Sequence, residues 1–564
     1  MVVNISNALK ILLCVSFLAG CSESSNRAAQ VSDPGIDVQA ELAACDSHLL
    51  TAQSTILANG WTLNSNSTRH QEASKAMLNA STVGELELQW SFVFVGDEER
   101  RGHPVVTTEA VILGSPAGTV RALGRSTGCD IWSFQAEAQV RTAAVLGDDP
   151  ASDGRLLYFG DTLANVYAID AESGSPVWQQ QVDQHPDAII TGSPQLIDQQ
   201  LLVPISSLEV RTAANPGYVC CSFRGGVVSL DAATGQENWR YRTIKEAAVL
   251  NPATGKLGPS GAPVWAAPTV DVVRNLVYIG TGENYSQPST DTSDAIIAID
   301  LSTGEERWKL QGTENDVWNI SCLLPAPFNG NCPPDPGPDL DFGAAPVLVV
   351  REGKADILLA AQKSGAIYAL VPDSGAILWQ RNLGSGGNLG GVHWGVATDE
   401  NNVYVPISDI QSRELTLADI ADLDNAATIF QPDGAEPGLY ALNLDTGVTE
   451  WFTQPVRMTP LSEQRPVILS AAVTLANNLL YTAGLDGIVR IYDSVSGALL
   501  RELDTTISVE GVNGESGNGG TIDSGGPVVA GGMLYINSGY TTFGRDPTWF
   551  AGPGNALMAF GSSP

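Results

Sequence analysis

Positive charge is scarce in this chain. Its 564 residues carry 62 Asp and Glu against 29 Lys and Arg and 5 His, a formal charge of −33. Nucleic acid and anionic membrane faces are held by clustered Lys and Arg, so that balance argues against both as partners. The acid excess reads as a solubilising surface, with an acidic rim that docks a basic protein as the sharper alternative. CxxCH does not occur, which excludes covalently attached haem, and no pair of CxxC motifs has zinc spacing. Long apolar runs are missing too. The stretch Ile11 to Ala19 is too short to span a bilayer. What is abundant is glycine (58) and proline (32), a composition of many tight turns rather than long helices.

Residues 1–20 read as a targeting segment, with Lys10 as a thin basic region before the apolar run. Leu18-Ala19-Gly20-Cys21 resembles a bacterial lipobox, in which Cys21 is lipidated and becomes the first residue of the mature chain. Ser22 in place of Asp resembles the outer-membrane sorting pattern. Residues 21–44 read as a flexible tether and 45–564 as the folded domain. With Cys14 lost and Cys21 lipidated, six cysteines remain, and an even number in an exported chain favours disulfides. Cys322 and Cys332 enclose a loop short enough to close readily. Cys45 and Cys129 would then pair by elimination.

An internal repeat dictates the fold. It reads VYAIDAESGSPVW ending at Trp178, VVSLDAATGQENW at Trp239, IIAIDLSTGEERW at Trp308, IYALVPDSGAILW at Trp379 and LYALNLDTGVTEW at Trp451. An earlier unit ends at Trp132, and a seventh, VRIYDSVSGALLR, has Arg501 at the tryptophan position. Each unit is an alternating strand, a turn carrying Gly, and a second strand ending in a large aromatic. Units of this size form four-stranded blades that bury their faces only by stacking radially. The expected fold is all-β, an eight-bladed β-propeller. Its last blade joins Leu86 to Phe92 with strands around Leu534 and Leu557. Residues 411–436, with the helix-like LTLADIADLD, should be a loop over one face.

The units look like the tryptophan-docking repeat of quinoprotein dehydrogenases. That repeat also occurs on a non-catalytic lipoprotein of outer-membrane protein assembly, so a scaffold stands as the alternative function. Longer stretches favour an enzyme. GAPVWAAPTVD (261–271), YIGTGENYSQPSTDTSDA (278–295), DVWNISC (316–322), DFGAAPVLV (341–349), AQKSGAIYAL (361–370) and GGVHWGVATD (390–399) together resemble the polyvinyl-alcohol dehydrogenase branch of pyrroloquinoline quinone (PQQ) dependent alcohol dehydrogenases. The resemblance implies PQQ and calcium as cofactors. It also implies an alcohol as substrate and an external cytochrome c, or a similar carrier, as electron acceptor.

PQQ is a flat tricarboxylated orthoquinone, so its site needs a stacking plane, cationic or hydrogen-bonding groups and a divalent ion. The resemblance assigns Trp265 as the plane, Arg141 and Thr191 to the carboxylates, and Lys363 to the quinone oxygens. His393, before Trp394, could add a hydrogen bond, and Arg101 is a weaker candidate. Relatives place a vicinal disulfide on the opposite face, and Cys220-Cys221 is such a pair elsewhere in the chain. Neighbouring Cα atoms lie about 3.8 Å apart, below the usual disulfide span of about 4.4–6.8 Å. A ring closed there would be a flat lid rather than a staple; pairing to distant cysteines and free thiols stay open. Calcium would take Glu209, Asn284 and Asn319. Asn319 stands where relatives carry the aspartate base, and an amide accepts no proton. Asp316 is the first substitute, followed by Asp291, Asp294 and Glu209.

Overall fold

In the computed structural model, the described residues are 50–421, 429–460, 462–540 and 546–562. The targeting segment, the tether, Cys21 and Cys45 lie outside them. Eight sheets, each built on four antiparallel strands, make the eight blades of a propeller, and a further short strand adds to the first, third and seventh; in the first seven blades the four strands follow chain order from inner to outer. Blade five is typical: Val347–Val349, Ile357–Ala361, Ala366–Leu370 and Ile377–Asn382. Blade eight closes the ring. Its inner strands Val528–Ala530, Met533–Ser538 and Ala556–Ser562 come from the end of the chain, and its outermost, Leu86–Val93, from the beginning. Among the described residues, no helix is long and apolar enough to cross a membrane. Insertion 411–436 contributes the short helix Leu417–Ala421; residues 422–428 lie outside the description.

Local chemistry builds the repeat. In the outer hairpins an Asp or Asn carbonyl oxygen accepts the N–H of the third residue on. Ser173 N donates to Asp170 at 2.8 Å, Thr234 N to Asp231 at 2.9 Å and Thr446 N to Asn443 at 3.2 Å. This side-chain bond mimics a backbone turn and sets up the left-handed glycine that follows. The glycine is required twice over. Gly447 has φ +66°, and a Cβ there would lie 2.6 Å from the Trp379 ring. The indole of each blade covers the turn of the next, and its N–H donates to a carbonyl there. Trp132 bonds Ala171 O (3.0 Å), Trp178 bonds Ala232 O (2.9 Å) and Trp379 bonds Leu444 O (2.7 Å). Trp90, on the closing strand, docks in the same way on Arg125 O at 3.0 Å.

The irregular seventh unit has a geometric cause. Blade eight has no hairpin joining its third and fourth strands, because the fourth comes from the other end of the chain. There is no glycine turn for an indole to cover. Arg501 takes the position instead and donates to Leu86 O, on the closing strand, at 3.3 Å.

Replacing Trp379 with Ala removes a ring that packs between blades and a hydrogen bond to Leu444. Urea unfolding should show a loss of about 3 kcal/mol, at the low end for a large aromatic because the ring is partly exposed. An unchanged midpoint would mean that the docking contact contributes little to stability.

Candidate active site

Antiparallel order places the start of each inner strand, and the connections between second and third strands, on one rim. Eight short segments lead into the inner strands there: 102–104, 141–144, 191–194, 265–268, 343–346, 393–396, 470–473 and 524–527. They touch one another around the axis. Ala143 N donates to Ser193 Oγ (2.8 Å), Ala472 N to Ser524 O (3.0 Å), and Ser524 Oγ to Arg101 O (3.4 Å). Gly343 lies beneath Trp265, where a Cβ would come within 2.0 Å of the indole. Small residues in these segments let the ring close tightly and leave the large ones, Trp265 and Trp394, to shape its interior.

Trp265 sits at the centre of a charged group. Its indole N–H donates to Asp341 Oδ2 at 3.0 Å. Lys363 Nζ lies 2.9 Å from Asp341 and 2.9 Å from Asp339, and 5.7 Å from the Trp265 ring. Glu283 N donates to Asp341 Oδ1 at 3.1 Å. Glu283, Asp339 and Asp341 are all buried and bring one oxygen each within 4.8 Å of the others. Burial and mutual repulsion push Glu283 and Asp339 well above the usual carboxylate range. Asp341 also suffers burial, but Lys363 and its hydrogen bonds hold it below that range. Lys363 is buried too, yet the Asp339 and Asp341 charges keep it protonated. Three carboxylates around one lysine match the demand of a hard divalent cation for oxygen ligands.

Several sequence expectations land elsewhere. Glu209 is 0 % exposed and its oxygens are already taken. Oε1 accepts from Tyr218 (2.6 Å) and Ser222 N (2.7 Å), Oε2 from Phe223 N (2.8 Å) and Ser260 (3.3 Å). Asn284 accepts from Thr290 N at 2.7 Å, and Asn319 caps the turn Ile320–Leu323 by accepting from Ser321 N at 3.1 Å. The Asn319 amide also donates to Tyr285 O and Asn331 O, so this side chain staples the loop crosslinked by Cys322–Cys332. The oxygens of these three face protein donors, as both oxygens of Asp341 also do. Among the described residues, Glu283, Asp339 and Asp341 form a group whose oxygens are spaced to hold a metal ion. Asp316 lies under the carboxylate segment, its carboxyl pushed up to about 6 chiefly by burial. Its two oxygens accept from Asp339 N (3.1 Å) and Leu340 N (2.9 Å), fixing the segment that carries Asp339 and Asp341. Asp291 is a surface partner of Lys309, 2.9 Å away. Asp294 is buried beside the carboxylate group and, among the described residues, neither of its oxygens has a hydrogen-bond partner.

Cys220 and Cys221 are bonded to each other, but they are 1 % and 0 % exposed and pack among Ala213, Phe223 and Tyr285. They present no accessible face, so the packing does not supply the expected lid. Cys129 is disulfide-bonded. The remaining candidates lie in or beside the segments that lead into the inner strands. Trp394 packs edge-to-face on Trp265 (5.5 Å between centroids) and lies 6.0 Å from Trp61. His393 lies 5.9 Å from Trp265 and shares a hydrogen bond with Ser470 at 3.0 Å; burial and the Lys363 charge push its pKa down to about 3. Arg141 Nε and Thr191 Oγ1 are buried polar atoms with no hydrogen-bond partner among the described residues. Such orphaned donors beside a partly exposed indole fit a flat polycarboxylate ligand. Arg101 pairs with Glu99 at 3.5 Å and stacks on Tyr540 at 4.3 Å. A surface hollow of about 670 Å³ between Phe430, Arg465 and Trp549 shares no residue with this group.

An axial indole, a lysine among carboxylates and orphaned cationic donors define a propeller oxidoreductase site for an anionic redox ring. Comparison with known proteins agrees. Residues 59–326 match the PQQ-binding β-propeller domain of glucose, ethanol and alcohol dehydrogenases. Over 518 residues the chain is 36% identical to the polyvinylalcohol dehydrogenase of a Sphingopyxis species, covering 89% of this chain and 76% of that protein. In fold it is similar to the quinohemoprotein alcohol dehydrogenase of Comamonas testosteroni (TM-score 0.63, 18% identity, 90% of this chain and 81% of that one). It is also similar in fold to BamB of Moraxella catarrhalis (TM-score 0.51, 15% identity, 84% and 99%). The chain belongs to the PQQ-dependent alcohol dehydrogenase family.

Asp523 lies beside this site, accepting from Ser524 N at 2.7 Å and close to Ser470, Trp394 and Arg101. Burial raises its carboxyl from 3.8 to about 6. The unfolded carboxyl ionises above about 4, but the folded one resists ionisation until about 6, so a penalty on folding grows through that window and is full above it. Asp523→Asn should therefore gain on the wild type by about 2 kcal/mol between pH 4 and pH 6.5. A stability difference that stays flat across that range would show that Asp523 does not titrate as described.

Proposed function

We propose that the axial site binds PQQ together with a divalent cation, calcium by preference, and oxidises a secondary alcohol or polyol, polyvinyl alcohol among them. One observation carries this reading: Asp341 is held ionised, against its own burial, between Lys363 and the Trp265 indole N–H. Bound PQQ would supply the two-electron acceptor. Trp265 would give it a floor, Arg141 and Thr191 would hold its carboxylates, and Lys363 would stabilise negative charge as it is reduced. Glu283, Asp339 and Asp341 would hold the cation.

Asp341 is the base in this reading. Its carboxylate is ionised and placed beside the ring floor, and it can take the proton of an alcohol hydroxyl. Asp316 keeps it in place through the backbone of residues 339 and 340. The seal of inner-strand segments around the axis limits access by water, which strengthens every charge interaction within. An external cytochrome c or similar carrier would take the electrons. The motif at Leu18 to Cys21 supports export and a lipid anchor at the outer membrane, and the acid excess supports docking of a basic carrier.

Mature protein supplied with PQQ and calcium should reduce a dye when an alcohol is added. Asp341→Asn should lower kcat by about 10²–10⁴-fold while the protein still binds PQQ. Dye reduction that survives in that variant would remove Asp341 from the role. A wild type that never binds PQQ would leave the propeller as a scaffold.

A further inference from the structure

We propose that the hollow between Phe430, Arg465 and Trp549 is a second binding site, which holds the chain of a polymeric alcohol while another stretch of that chain reacts at the axis. The proposal rests on the reading of the axis as the alcohol-oxidising site and extends it to the form of the substrate. The connection between the second and third strands of blade six brings Phe430 to the hollow, and the matching connection of blade eight brings Trp549. Arg465 and Pro466 come from the link between blade six and the inner strand of blade seven. All three connections emerge on the rim that carries the axial segments, so hollow and axis open on the same side of the ring.

The hollow has a firm apolar floor. Ile410, Ile429, Ile468, Leu485 and Phe550 are buried together, with Trp549 packed against them. Backbone bonds stitch this floor across blades: Leu485 N donates to Ile468 O at 3.1 Å, and Ala551 N to Leu485 O at 2.8 Å. Asp546 fixes the turn that presents Trp549, its carboxylate accepting from Thr548 N at 2.9 Å and Thr548 Oγ1 at 2.7 Å. Arg465 lies over the Trp549 ring at 4.8 Å and is held by Glu463 at 2.9 Å. The Phe430 ring is 37 % exposed. Two aromatic faces suit the C–H groups of a ligand, and the amides of Gln431 and Gln464, in the same lining, suit its hydroxyls. Arg465 and Asp546 are of opposite sign and both already engaged, so the hollow offers no field that selects an anion or a basic carrier. A neutral chain that alternates C–H and O–H groups fits this mixture.

The spacing favours a long substrate. Pro466 lines the hollow, and Ser470, four residues on, shares a hydrogen bond with His393 at the axis at 3.0 Å. Four residues span at most about 14 Å. A short alcohol cannot occupy both places, whereas a polymer crosses the gap. Held at the hollow, it raises the local concentration of its own hydroxyls at the axis.

Turnover of the PQQ-loaded protein can be followed with a dye acceptor for polyvinyl alcohol and for 2-butanol. Affinity for the polymer can be read apart from turnover, as retardation of cofactor-free protein in native gels that contain polyvinyl alcohol. Trp549→Ala should raise KM for the polymer about tenfold and reduce the retardation, with kcat and the KM for 2-butanol within twofold of wild type. Phe430→Ala, which leaves the buried floor in place, should act in the same direction and serves if Trp549→Ala fails to fold. Folded variants that keep the wild-type KM for the polymer and the wild-type retardation overturn the proposal. A change confined to the KM for a basic cytochrome c also overturns it, and gives the hollow to the electron carrier. A wild type that oxidises 2-butanol but neither oxidises nor binds the polymer overturns this proposal and spares the axial reading. One that oxidises neither alcohol overturns the axial reading, and this proposal with it.

Discussion

The molecule hangs on one contact made over and over: an indole laid on the glycine turn of the next blade and tied to it by a single hydrogen bond. A four-stranded blade cannot bury both of its faces alone, so each depends on its neighbours. The glycine gives the indole room and the turn its left-handed backbone; the N–H fixes the angle at which one wedge meets the next. Because that angle repeats, the ring closes, and because it closes, the inner segments of all eight blades are pressed into a common axis. The site is a product of that pressure rather than of any one loop.

At the axis the economy of charge is reversed. The exterior is strongly acidic, and most cations there are spent on carboxylate partners such as Arg274 with Asp271 and Asp356. The interior holds Lys363 between two buried aspartates and, among the described residues, orphaned donors on Arg141 and Thr191. Buried charge without full compensation costs stability, and natural folds keep it where a ligand completes the balance.

Much of this was legible in the residues. The repeat announced the blades, the docking residues and the split last blade, because turn chemistry and alternation are local signals. Trp265, Lys363, Arg141 and Thr191 were legible as candidates only, since each lies in a short run whose pattern resembles known relatives. The carboxylates were not. Glu283 stands directly before Asn284, and a one-residue choice between them turns on which side chain faces inward. Asp339 and Asp341 lie beyond a loop of about twenty residues after Trp318, so the aspartate expected beside that tryptophan was sought at Asn319. The phrase DFGAAP carried the missing signal: it repeats the small-residue run of WAAP, which marks the entry to an inner strand.

The strand Leu86–Val93 is made early and finds its partner last: Gln89 bonds Gly561, 472 positions further along. Until the final strand emerges, blade one has no neighbour on one side and the nascent sheet stack carries two raw ends. Loss of the last strand would therefore unseat the closing strand from the start of the chain along with it.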